Sequence, residues 1–96
     1  MQKLQPAQAG TLESNDIQIT LSPAAAGSGI QIELTSAVLL QFGDQIKAVL
    51  LAVAQEQNVT DILVQAHDRG ALDCTIRARM LAVLARAGVT IKEAMA

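Results

Sequence analysis

Between Ile17 and Leu21 apolar and polar side chains alternate as Ile-Gln-Ile-Thr-Leu, and the same period returns at Ile30, Ile32 and Leu34 with Gln31 and Glu33 between them. Successive side chains of a strand point to opposite faces, so each stretch predicts a half-buried strand. The segment from Ser22 to Gly29 breaks the pattern. Pro23 has no N–H for a ladder, and Gly27 and Gly29 tolerate positive φ, so a loop is predicted there. Two such strands joined by a loop predict an antiparallel pair with both apolar rows under one cover. The spacing then changes to three and four at Leu39, Phe42, Ile46, Val49, Leu50 and Val53, which predicts a helix from about Ser36 to Gln57, capped by Thr35 or Ser36. Gly43 inside it costs about 1 kcal/mol relative to alanine, a cost offset if a strand or partner passes close to the backbone.

Asn58 suits the end of that helix, and Asp61 to His67 is a short run with β-branched residues that predicts a further strand, closed by Asp68-Arg69-Gly70. A last helix is predicted from Asp73 to Ala87, with Ile76, Met80, Val83, Leu84 and Ala87 on its inner stripe and Gly88 just beyond. Upstream, Thr11 to Glu13 leaves room for a short strand. Residues 1–9, polar and alanine-rich with Pro6, read as an extended or mobile arm, with order beginning near Gly10. The tail from residue 89 to 96 carries no assigned element. The sum is an α+β two-layer sandwich, a small mainly antiparallel sheet with two helices on one face, forming one domain over residues 10–88.

Composition narrows the function classes. The chain has 96 residues, the size of one small domain. It is 51% hydrophobic with a mean hydropathy of +0.35, but much of this is alanine, and no apolar run approaches the ~20 residues that cross a bilayer. A soluble protein without a membrane partner is expected. Phe42 is the only aromatic residue, so the series of aromatic platforms on which successive bases stack is not available, and a net charge of −2 gives no attraction to a phosphate backbone. Nucleic acid is excluded on both grounds. One cysteine and one histidine form neither an intramolecular disulfide nor a tetrahedral zinc site, and the N-terminus lacks a secretory h-region, which together point to a reducing cytoplasm.

Each candidate for chemistry has a plain counterpart. Ser14 with His67 and either Asp68 or Asp16 supplies the residue types of a hydrolase triad, but there is no Gly-x-Ser-x-Gly elbow and nothing in the sequence places His67 near Ser14. An ordinary strand-end histidine is the simpler reading. Cys74, at the start of the last helix, is either a dipole-activated thiolate or a packed thiol, and packing is the expectation. Arg77, Arg79 and Arg86, with Arg69 upstream, are a solvated face or a surface for an acidic partner. No glycine-rich loop enters a helix with a lysine, so no nucleotide cradle is predicted. What remains is a small domain without an active site of its own, acting through a partner or an attachment. Ser14, read locally, is a turn residue beside Asn15 and Asp16, and its hydroxyl is therefore expected to be exposed.

Three segments, Gly10-Thr11-Leu12-Glu13-Ser14-Asn15-Asp16, Gln41-Phe42-Gly43-Asp44, and Asp68-Arg69-Gly70-Ala71-Leu72-Asp73-Cys74 running on to Ala78-Arg79, resemble the acyl carrier (gamma) subunits of citrate lyase. The resemblance implies that Ser14 bears phosphoribosyl-dephospho-coenzyme A through a phosphodiester, making the chain a phosphoprotein placed by a cofactor-attaching transferase. It further implies a non-catalytic carrier serving the alpha (transferase) and beta (lyase) subunits. In that family the acetylated thiol exchanges acetyl for citryl with release of acetate, and citryl cleavage to oxaloacetate restores the acetyl carrier. No catalytic role and no metal site transfers to this chain. Glu13 and Asp16 either steer the modifying enzyme and orient the hydroxyl or are turn residues. The Asp-Ser-Leu helix start of the four-helix acyl carriers is absent. Two other readings stand beside this one: the carrier subunit of malonate decarboxylase, and a non-covalent assembly or regulatory module docking through the arginines. A small serine hydrolase comes third.

Overall fold

The computed structural model of the chain describes residues 4–36 and 39–92. The elements are β1 (Ala7–Ala9), β2 (Ile17–Pro23), β3 (Ile30–Ser36), α1 (Leu39–Glu56), β4 (Ile62–Asp68) and α2 (Asp73–Arg86). The sheet has four strands in the order β1-β2-β4-β3, with β2 antiparallel to both of its neighbours and β3 parallel to β4. It is the expected α+β architecture with a mostly antiparallel sheet.

The pairing of β2 with β3 expected from their alternation does not occur, because β4 lies between them. The physical reason is the connection that follows. A helix between two strands carries the chain back over one face of the sheet, so β3, α1 and β4 form a strand-helix-strand unit and pair in parallel. Register confirms the two faces that alternation implies. Ile19, Ala66 and Leu34 form one row and Leu21, Val64 and Ile32 the next, while Thr20, Gln65 and Glu33 share a row on the opposite face.

The apolar rows meet Ile46, Leu50, Val53 and Ala54 of α1 and Ile76, Met80, Val83 and Leu84 of α2 in one buried core. Each fully buried aliphatic side chain of this kind contributes about 1.5–3 kcal/mol. The inner stripe predicted for α2 is buried throughout. In α1, Phe42 departs from the predicted stripe and is 51% exposed. Thr35 and Ser36 belong to β3 and not to the helix, and the residues immediately before Leu39, where a cap would sit, lie outside the described residues.

Both helices end in the same hydrogen-bond pattern. The Asn58 N–H donates to the Gln55 carbonyl (3.0 Å) and Val59 N–H to Ala54 (3.0 Å); Gly88 N–H donates to Ala85 (3.1 Å) and Val89 N–H to Leu84 (3.0 Å). With Asn58 at φ 57 and Gly88 at φ 109 these are Schellman ends, which satisfy the last carbonyls and turn the chain back to the core.

Regular structure begins before Gly10, at Ala7. Ala7–Ala9 pair with Leu21, Thr20 and Ile19, and the Gln5 N–H donates to the Ala87 carbonyl at 2.9 Å. The short strand thus falls at residues 7–9, and residues 11–13, expected to hold it, are loop. Beyond α2, Val89 and Ile91 pack on the core, and Lys92 exchanges two hydrogen bonds with the Gln57 side chain. The segment after Gly88 is therefore attached to the domain as far as Lys92.

Candidate functional site

β1 and β2 are antiparallel neighbours, so residues 10–16 form the loop of a hairpin. Gly10 starts it at φ +87, and a Cβ there would lie 1.8 Å from the Ile17 carbonyl oxygen, so only glycine fits the close approach of the two strands. At the tip the Asp16 N–H donates to the Glu13 carbonyl at 3.2 Å, and Asn15 has φ 65. This places Ser14 and Asn15 at the two central positions of a β-turn, with the left-handed residue second, as in type II. Asparagine tolerates that conformation better than other non-glycine residues. Ser14 is exposed, and its hydroxyl has no hydrogen-bond partner among the described residues.

The tip is tied to other elements on both its Asp16 side and its Leu12 side. Arg79 of α2 grips the Asp16 carboxylate with two parallel bonds, Nε to Oδ1 at 3.0 Å and Nη2 to Oδ2 at 2.8 Å. Thr11 Oγ1 donates to Oδ2 at 2.6 Å and the Ile17 N–H to Oδ1 at 2.7 Å. The Arg79 bonds first, then the Thr11 hydroxyl, hold the Asp16 carboxyl well below the usual carboxylate range. On the other flank Arg69 N–H donates to the Asp16 carbonyl (2.8 Å), Asn15 N–H to the Arg69 carbonyl (2.8 Å), and Arg69 Nη1 to the Leu12 carbonyl (3.1 Å).

Arg69 follows Asp68, which is 1% exposed. The Asp68 carboxylate accepts from Ser36 Oγ (2.9 Å) and from the N–H groups of Gly70 (3.1 Å) and Ala71 (3.0 Å), fixing the turn that leads from β4 into α2. The Ser14 loop therefore rests on a junction organised by a buried charge whose hydrogen bonds are complete. Beside this junction Phe42, Ile46, Gly70, Ala71 and Leu72 line an open groove of about 420 Å³.

The other candidates fall out as follows. Glu13 is exposed at the first position of the turn, next to Ser14. Asp16 is buried at its foot, with both oxygens committed. The arginines are engaged inside the chain: Arg77 forms a bidentate pair with Glu56 (2.7 and 3.1 Å), Arg79 holds Asp16, and Arg86 Nη1 donates to the Gln8 carbonyl at 2.7 Å. The Arg77 bonds also keep the Glu56 carboxyl below its ordinary range. The residues of the triad are not joined. His67 is exposed on the polar face of β4, Asp68 points to the opposite face, and no hydrogen bond links Ser14 to His67 among the described residues. Cys74, expected to pack, is exposed. Among the described residues no group of three or more His, Cys, Asp or Glu side chains is placed to hold a metal ion, and no helix is long and apolar enough to cross a membrane.

The brace formed by Thr11, Asp68 and Arg69 is the part that sequence reasoning missed. One signal was present: Asp68 continues the inward parity of Ile62, Val64 and Ala66, and a charge on a buried parity requires partners.

Comparison with known proteins gives the family. Residues 4–87 match the family model described as malonate decarboxylase delta subunit (MdcD). The chain is 55% identical over 82 residues to the citrate lyase acyl carrier protein of Lacticaseibacillus casei (strain BL23), covering 85% of this chain and 79% of that one. It is 52% identical over 81 residues to the citrate lyase acyl carrier protein of Lactiplantibacillus plantarum, covering 84% and 82% of the two chains. In fold it is similar to a chain in the crystal structure of a Pseudomonas malonate decarboxylase hetero-tetramer in complex with malonate, with a TM-score of 0.78 at 21% identity over 90% of this chain and 87% of that one. On the matched length and these identities, the chain belongs to the citrate lyase acyl carrier protein family.

Proposed function

We propose that this chain is the acyl carrier subunit of a citrate lyase and that Ser14 is the point of attachment of its prosthetic group. The observation that carries this reading is the exposed Ser14 hydroxyl, without an intramolecular partner, at the tip of a turn braced on both flanks. An attachment point must be open to a modifying enzyme, yet the arm it bears gains from a fixed origin, because a tether turns each encounter with a catalytic subunit into an intramolecular event.

The residues present fit phosphoribosyl-dephospho-coenzyme A. The Ser14 oxygen bonds to the phosphorus of an activated donor held by the attaching transferase, the donor's bond from phosphorus to its leaving group breaks as the serine proton is given up, and no bond of the folded loop has to break. Arg69, with one guanidinium nitrogen on the Leu12 carbonyl, places a positive charge beside the turn where the phosphodiester adds a negative one. When bound, the group supplies a thiol that carries acetyl or citryl as a thioester. Glu13 is positioned for recognition by the attaching transferase, whereas Asp16 serves the loop. The chain itself holds and presents the arm; the alpha and beta subunits, in the cytoplasm, carry out transfer and cleavage.

A malonate decarboxylase carrier is the second reading, favoured by the family description and by the fold of the Pseudomonas chain. The names of the relatives at 52–55% identity favour citrate lyase. Docking through the last-helix arginines would compete with bonds that Arg77, Arg79 and Arg86 already make, so charge reversal there disturbs the fold as well as any partner.

Co-expression with the cofactor-attaching transferase tests the proposal by intact mass. A coenzyme-sized increment that is lost in Ser14→Ala is expected. An increment that persists in Ser14→Ala places the attachment elsewhere. Co-purification with citrate lyase subunits and not with malonate decarboxylase subunits separates the two readings.

A further inference from the structure

We propose that the groove between the start of α1 and the Asp68–Asp73 turn holds the purine of the arm attached at Ser14, with Phe42 as its stacking partner. This rests on the Ser14 reading and goes beyond it by assigning a resting place to the arm.

Phe42 is the sole aromatic residue of the chain, and it is turned outward from α1, whose Ile46, Leu50, Val53 and Ala54 are in the core. It is 51% exposed, and Leu72 across the groove is 70% exposed. Two large apolar side chains exposed across one groove form a surface that a flat apolar ring would cover. The groove volume of about 420 Å³ lies in the range of small-ligand sites.

Proximity identifies the occupant. Gly70 lines the groove, and a Cβ built on it lies 3.5 Å from the Asn15 side-chain oxygen, one residue from Ser14. A group tethered at Ser14 is therefore present at the groove at high effective concentration, and weak stacking suffices to hold it. The rim chooses which part of the arm enters. Gln45 donates to the Asp73 carboxylate at 2.8 Å, and this acidic edge disfavours phosphates and admits an uncharged ring. Two further concavities do not compete: one adjoins Pro23 and Asn58, at the far end of β2 from the Ser14 loop, and one lies on the polar sheet face at Gln18 and Gln65. Parking the purine keeps the long arm against the carrier between visits and leaves the thiol end outside.

The chain contains no tryptophan or tyrosine, so a Phe42→Trp variant carries a single indole fluorophore in the groove. The variant is co-expressed with the attaching transferase and compared with Phe42→Trp combined with Ser14→Ala, each checked by intact mass. The expected result is a loss of tryptophan emission in the loaded protein only. The ring-proton resonances of native Phe42, displaced on loading in the otherwise unaltered chain, give the same readout without a substitution. A full mass increment with unchanged emission and unchanged ring resonances overturns the groove proposal and leaves Ser14 as attachment point. A change that appears only after the catalytic subunits are added also overturns it, and makes the groove their docking face. No mass increment in any variant removes both readings.

Discussion

Asp16 shows most directly how a single residue sets the position of Ser14. Its carboxylate takes four hydrogen bonds, two of them from Arg79, a partner 63 positions away in sequence. Replacing it by asparagine removes the charge and mismatches at least one donor, and is expected to cost about 1–3 kcal/mol, measured by urea denaturation. The pH dependence has a definite sign. The native carboxyl titrates below its unfolded value of about 3.9, so the native state binds fewer protons in that interval. This stability is complete above about pH 5 and is lost as pH falls through the acid range. Asp16→Asn should flatten that acid slope; an unchanged slope would assign it to other carboxylates. Glu56 acts in the same direction but is half-exposed, so its share should fade in high salt. Gly10→Ala meets both a positive φ and the Ile17 carbonyl, and is expected to lower stability by more than about 2 kcal/mol in the same assay. Of these residues the sequence disclosed the turn character of Ser14 and Asn15, since both are local preferences. The Asp16–Arg79 pair could not be read, because nothing local reports which of several arginines returns to a given carboxylate.

Among the elements, β4 and the turn after it decide where the site sits. Of the two central strands β4 is paired along its whole length on both sides, β2 is paired with β1 over three residues only, and β1 is a three-residue edge. Amide exchange should therefore be slowest in β4 and fastest in β1, with the reverse order contradicting the sheet assignment. Asp68 at the end of β4 links Ser36 of β3 to the turn that carries Arg69, so Asp68→Ala is expected to cost about 1–3 kcal/mol and to slow loading at Ser14 by loosening its brace. A time course of loading by intact mass, alongside denaturation, checks both effects. Alternation at Ile17–Leu21 and Ile30–Leu34 revealed these strands and their buried faces, and three- and four-residue spacing revealed the helices. Strand order was not legible, because alternation records which face is buried but not which strand lies alongside. Residues 7–9 escaped for a related reason: Ala-Gln-Ala carries too little hydrophobic contrast to mark a strand, and the pairing comes from the hairpin that Gly10 allows.

Taken as one molecule, the domain separates its tasks by location. One face of the sheet is covered by both helices, the other is polar, and the Ser14 loop stands at the end where β2 begins and β4 finishes. Modification and folding are thus expected to be independent. Because the Ser14 hydroxyl bonds to nothing among the described residues, Ser14→Ala should leave the unfolding free energy within about 0.5 kcal/mol of the native chain. A carrier whose attachment residue can be removed without harm to its fold gives a clean reading of whether that residue bears the arm.

The most direct measurement is the mass of the chain after co-expression with the attaching transferase, followed by fragmentation to locate the increment. The account predicts a single coenzyme-sized addition, confined to fragments that contain Ser14 and absent from Ser14→Ala. An addition mapped to Ser22, Ser28 or Ser36, or an unmodified chain beside an active transferase, would contradict it.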